Sequence, residues 1–205
     1  MKFRLDMQLF GGRGASYTVG TDEGGGSRGQ ATTGDFAARM NVQMKNGKMS
    51  QDIVLQNFRK TFTLDSSKGQ TEHLIAVDND GFTYALNHGG SSAVGYKQNE
   101  VNGKLVIHNQ PNDTIFSRQD LRNVSGTQGI VASGKSGDHI FKLTKNFDND
   151  GFQKALTRSP LSNSTSAKAG ETSTEQVMAR YNAESSKWLK RNAKKYGYTY
   201  TYNKA

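Results

Sequence analysis

The chain has 205 residues, of which 33% are hydrophobic, and it carries a formal charge of +9 with an isoelectric point near 9.7. It contains no cysteine, which excludes both a disulfide framework and a thiolate zinc site, as expected of a protein made in a reducing cytoplasm or of a virion assembled there. No apolar run approaches the roughly 20 residues of a membrane span. The opening "MKFRLDMQLF" is interrupted by Asp6 and Gln8 and followed by "GGRG", so it does not read as an export signal. With a mean hydropathy of −0.75, the expectation is one core domain of roughly 100–130 residues flanked by weakly packed segments.

Residues 11–34 hold nine of the 23 glycines and few large apolar side chains. Such a stretch buries too little surface to offset its ordering entropy, so residues 1–48 are expected to form a flexible Gly-rich arm. "GGRG" lacks the strand, helix and Lys-Ser/Thr that a phosphate cradle requires. The core is expected over 49–158. "QDIVLQNFRKTFTL" (51–64) is ambiguous in period and is taken as a helix running into a strand. His73–Val77 and Phe82–Leu86 flank "DNDG" and read as a hairpin; an EF-hand loop would need a different spacing and a distal glutamate. His88, in "NHGG", is expected in a turn.

Lys104–His108 is the next strand, and it runs into "IHNQP" (107–111). Ser117 follows as the expected N-cap of a short helix, "RQDLRNV", with Asp120 at the third helical position completing a capping box. "GIVASG" and "HIFKL" read as two strands around "KSGD", and a short helix near Asp150–Leu156 ends before Pro160. Residues 159–174, rich in Ser, Thr, Gly and Ala, are expected to be a linker. The last segment, 175–205, opens with a helix over about Thr174–Tyr196, with Met178, Tyr181, Trp188, Leu189 and Tyr196 on one face and Gly197 as its stop. "YTYTY" alternates as an edge strand does. The fold class is therefore α+β: a small mixed β-sheet with an inserted helix and a packed C-terminal helix.

A catalytic zinc site takes three protein ligands and an open position for water, with a nearby carboxylate as base. His108 at a strand end, Ser117 and Asp120 on the next helix and Glu72 before an earlier strand are groups that could converge. "IHNQPNDTIFSRQDL" resembles the JAMM (MPN/JAB) metallohydrolase signature, His-x-His-Pro followed by Ser-x-x-Asp with an upstream glutamate. The resemblance spans residues 70–143. It implies His108 and Asp120 as zinc ligands, Ser117 as oxyanion helper and Glu72 as base. It also makes Gln110 a degenerate ligand position, since a neutral amide oxygen replaces an imidazole.

Four segments in order, "MQLFGGRGAS", "TEHLIAVDNDG", the "IHN-x-P…FS-x-x-DL" stretch and "WLKRNAKKYGYTY", resemble phage minor-head (head-morphogenesis) proteins of Gram-positive hosts. The likeness is to their C-terminal module or to a standalone prophage relative. In that module the motif usually reads His-Asn-His-Pro, so the departure at Gln110 recurs. The resemblance implies a structural or assembly-associated protein with an inactive JAMM-like domain. It implies phage head or portal proteins, or a host protein, as partners, and the bacterial host cytoplasm or the virion as location. No cofactor is expected, zinc being the one metal the resemblance admits.

Two other classes stay open: a metal-dependent hydrolase of amide or isopeptide bonds, and a small basic mobile-element protein that binds nucleic acid or a host defence complex. For the latter, Lys187, Lys190, Arg191, Lys194 and Lys195 beside Trp188 are the candidate contacts to nucleic acid or an acidic partner. The alternative for these residues is a solvated helix face, with Trp188 in the core.

Overall fold

The structure, a computed structural model, describes residues 50–65, 70–81, 83–90, 94–162 and 168–205. The arm expected over 1–48 lies outside the described residues. The elements are α1 (Gln51–Phe58) with a π-helical turn (Arg59–Thr63), β1 (His73–Val77), β2 (Thr83–His88), α2 (Gln98–Val101), β3 (Leu105–Asn109), α3 (Arg118–Arg122), β4 (Gly129–Gly134), β5 (Gly137–Leu143), α4 (Asn149–Leu156), α5 (Thr174–Tyr196) and β6 (Tyr198–Lys204). The fold is α+β, and the C-terminal helix packs on the sheet as expected.

One six-stranded sheet runs in the order β2-β1-β3-β4-β5-β6. Neighbours are antiparallel except β3 and β4, which are parallel. A parallel pair cannot be joined by a tight turn, so the chain crosses over between β3 and β4, and α3 lies in that crossover. The β1–β2 hairpin turns at Asp78–Gly81: Gly81 takes φ +85, and the Asp78 side chain accepts from the Asp80 amide at 2.9 Å. His88, expected in a turn, is instead the last residue of β2 and pairs with His73.

Alternation divides the sheet into two apolar faces. Leu74, Ala76, Val106, Ile130, Ala132 and Phe141 face α3, α4 and α5, where Phe116, Leu121, Phe152, Trp188 and Leu189 close the larger core. Ile75, Val77, Leu105, Ile107 and Val131 face α1. The expected change from helix to strand within 51–64 does not occur; the chain stays helical through Thr63. Val54, Phe58 and Phe62 recur every four residues and are all fully buried against the sheet, so helical packing overrides the β-branched Thr61 and Thr63. The π turn closes with Leu64 N–H donating to the Arg59 carbonyl at 2.9 Å. It sets the Arg59 guanidinium over the β4–β5 turn, where it donates to the carbonyls of Gly134 and Lys135 and to Asp138 at 2.6–2.8 Å.

Ser159 and Leu161, at the start of the expected linker, are buried, so packing extends past α4; residues 163–167 lie outside the described residues. α5 begins at a Ser173–Gln176 capping box and stops at Gly197, whose φ of +71 suits a residue without Cβ. No helix among the described residues is long and apolar enough to cross a membrane.

Candidate functional site

The geometry of the motif follows from strand direction. His108 lies at the carboxyl end of β3, beside the crossover, which is where open sheets with parallel strands leave a crevice. Because β1 runs antiparallel to β3, its amino end meets the carboxyl end of β3, with Leu74 opposite His108. Glu72 precedes β1 and, two residues before Leu74, faces the same side. Its backbone continues the pairing, exchanging hydrogen bonds of 2.8 Å with Gly89 and Gly90.

Ser117 and Asp120 form the expected capping box. Ser117 Oγ accepts from the Asp120 amide at 3.1 Å, and Asp120 Oδ2 accepts from the Ser117 amide at 2.7 Å. The same Oδ2 lies 3.9 Å from His108 Nε2. That is too long for a hydrogen bond. Burial lowers the His108 pKa despite the opposing pull of Asp120, which favours the neutral imidazole over an ion pair. His108 Nε2 is buried and has no hydrogen-bond partner.

Glu72 is also buried, and its carboxyl is pushed up to about 8 by desolvation, then by the Asp120 charge, with the Val94 amide opposing. Tyr96 and Tyr181 border the same place. Both phenols are raised, first by burial and then by Asp120. Asp120 thus links the group: it caps Ser117, lies 3.9 Å from His108 Nε2 and acts electrostatically on the buried Glu72.

Gln110 departs from this group. It is 8% exposed, its amide N–H donates to the Ser133 carbonyl, and its side-chain oxygen accepts from Thr114 Oγ1 at 3.0 Å. Zinc would find a buried ring nitrogen without a partner and a carboxylate oxygen that also holds the Ser117 amide. At the third position it would meet an amide oxygen already bonded to Thr114. This donor set does not fit a three-ligand zinc centre. Among the described residues, no three His, Asp or Glu side chains are grouped to hold one ion.

The remaining histidines lie elsewhere. His73 faces α1, stacked on Phe62 at 4.5 Å, and so sits on the opposite side of the sheet from Glu72. His139 bonds Tyr200 OH through Nδ1 at 2.8 Å and stacks on Tyr202, and desolvation pushes its pKa down to about 4. It shares the His108 face but lies two strands away, about 10 Å by strand spacing.

Three further residues, outside the candidate ligand set, hold the site's segments together or border it. Asn109 Oδ1 accepts from the His73 amide at 2.6 Å while its Nδ2 donates to the Thr71 carbonyl at 2.8 Å, tying the end of β3 to the segment that bears Glu72. Asn182 binds the loop after Gln110 to α5 through the Ile115 amide and the Asp113 carbonyl. Tyr181 was legible as part of the apolar face of α5, but its position beside Asp120 was not.

Lys187, Lys190, Arg191, Lys194 and Lys195 are all exposed along α5. Lys195 Nζ sits 5.0 Å above the Tyr196 ring. Trp188 is turned inward against Phe152, away from this charged face.

The chain matches no protein-family model, and it has no match among curated proteins or solved structures.

Proposed function

We propose that the chain is a phage- or prophage-encoded structural or assembly-associated protein, of minor-head type, whose JAMM-like domain is catalytically degenerate. The observation that carries the degenerate reading is the engagement of Gln110. The residue standing where the motif has its second imidazole offers a neutral oxygen that Thr114 already occupies. The grouping of Glu72, His108, Ser117 and Asp120 supports descent from a metal-hydrolase pocket, and the four ordered segments support the phage assignment. Head or portal proteins, or a host protein, are the partners this reading implies, within the host cytoplasm or the virion.

Zinc titration by calorimetry near pH 7.5 tests it, comparing the wild type, Gln110→His and His108→Ala. The wild type should bind weakly or not at all, and Gln110→His should gain affinity by supplying a third good ligand. Tight stoichiometric binding by the wild type would overturn this reading in favour of an active amide or isopeptide hydrolase. No gain in Gln110→His would break the link to the metal-hydrolase motif.

A further inference from the structure

On the outer side of the larger core, Arg118 and Arg122 of α3 and Gln153, Lys154 and Thr157 of α4 and its cap line a cleft of about 250 Å³. The neutral groups there serve the fold. Gln153 Nε2 donates to the Leu121 carbonyl at 3.0 Å, joining the two helices, and Thr157 Oγ1 donates to the Lys154 carbonyl at 2.7 Å. The three cations differ. Arg59 and Arg180 spend their guanidinium groups on Asp138 and on Glu171 and Glu184, whereas Arg118, Arg122 and Lys154 form no ion pair among the described residues. Arg118 Nε is buried without any acceptor.

The one acid on α3, Asp120, is held by the Ser117 amide on the side facing His108. Its neighbours two residues before and after point away from it at helical spacing. A desolvated and unmet Arg118 N–H beside two solvent-exposed cations makes the cleft attractive to an anion.

We propose that this cleft is a phosphate-binding site that takes one phosphate monoester or diester group. Two guanidinium forks and an ammonium match the several oxygens of a tetrahedral anion better than the two of a carboxylate. The cleft is smaller than the roughly 300–1,000 Å³ of pockets that enclose whole small molecules. It therefore holds the charged group while the rest of the ligand lies outside. This inference is independent of the zinc question at Gln110.

The test is titration of the ¹⁵N-labelled full chain with inorganic phosphate at constant ionic strength, with chloride as control, following the arginine Nε–H resonances. The Arg118 Nε–H should shift saturably with phosphate and not with chloride. Arg118→Gln, Arg122→Gln and the solvent-exposed Lys154→Gln should each weaken binding about tenfold, while Lys187→Gln should not. A second arm with a short single-stranded oligonucleotide identifies the source. Tighter binding than inorganic phosphate, lost in the same variants, assigns a nucleic-acid backbone; binding no tighter assigns a small phosphate compound. Absence of saturable phosphate binding, or binding unchanged in folded Lys154→Gln and Arg122→Gln, would overturn the proposal.

Discussion

Glu72 is a buried carboxyl whose protonation separates the folded from the unfolded chain. Its carboxyl is raised from the ordinary 4.5 to about 8, so between these values the folded protein holds a proton that the unfolded chain has released. The stability this contributes is fully present below about 4.5 and is lost as pH rises through about 8. Glu72→Gln keeps the shape without the titration, so it should raise stability by roughly 2–4 kcal/mol at pH 9 and change it little at pH 4. Urea denaturation at the two pH values measures this. Equal effects at both would mean that Glu72 is not desolvated.

His139 imposes the opposite slope. Its folded value of about 4 lies below the usual 6.5, so its contribution is present above 6.5 and is lost as pH falls toward 4. Substituting His139→Asn should flatten the acid limb of the stability profile, read from melting temperature against pH. An unchanged limb would refute the assignment.

Among the elements, α5 and the π turn after α1 hold the sheet from opposite sides. Trp188 is 9% exposed and meets Phe152 with ring centroids 6.1 Å apart. Trp188→Ala should therefore cost about 3–5 kcal/mol in chemical denaturation. An unchanged melting temperature would place the indole outside the core and return it to the basic face for base stacking. Arg59 closes the β4–β5 turn through two carbonyls and Asp138, with both charged side chains 13% exposed. Replacing it with Ala leaves Asp138 with Ser133 as its remaining hydrogen-bond donor. The expected cost is about 2 kcal/mol, with hydrogen exchange accelerated first at the 134–138 turn.

For the molecule as a whole, the last strand is part of the core rather than a tail. β6 pairs with β5 along its length and contributes Tyr198 and Tyr200 to the larger core. Tyr198 OH also donates to the Leu189 carbonyl, locking α5 to the strand that follows it. A chain ending at Gly197 should lose near-ultraviolet circular dichroism and cooperative unfolding, because β5 would become an apolar edge. Retention of a cooperative transition would show that β6 is dispensable.

What could be known from the sequence was local. The capping box of Ser117 and Asp120, the Asp78–Gly81 turn, the stop at Gly197 and the single apolar face of α5 depend on residues within a few positions of one another, and their chemistry acts over that range. The α+β class followed from the same alternation of periods. The helix-or-strand ambiguity at 59–64 could not be resolved locally, since its outcome depended on a sheet face waiting for Phe62. The candidate site was legible as a list of residue types, but their meeting depended on β1 running antiparallel to β3, which brings the segment bearing Glu72 to the carboxyl end of β3. One further fact rests on groups far apart in the chain: that Arg118 and Arg122 of α3 share one cleft with Lys154 of α4. Side-chain partners of this kind are chosen by tertiary contact, so only the folded structure decides them.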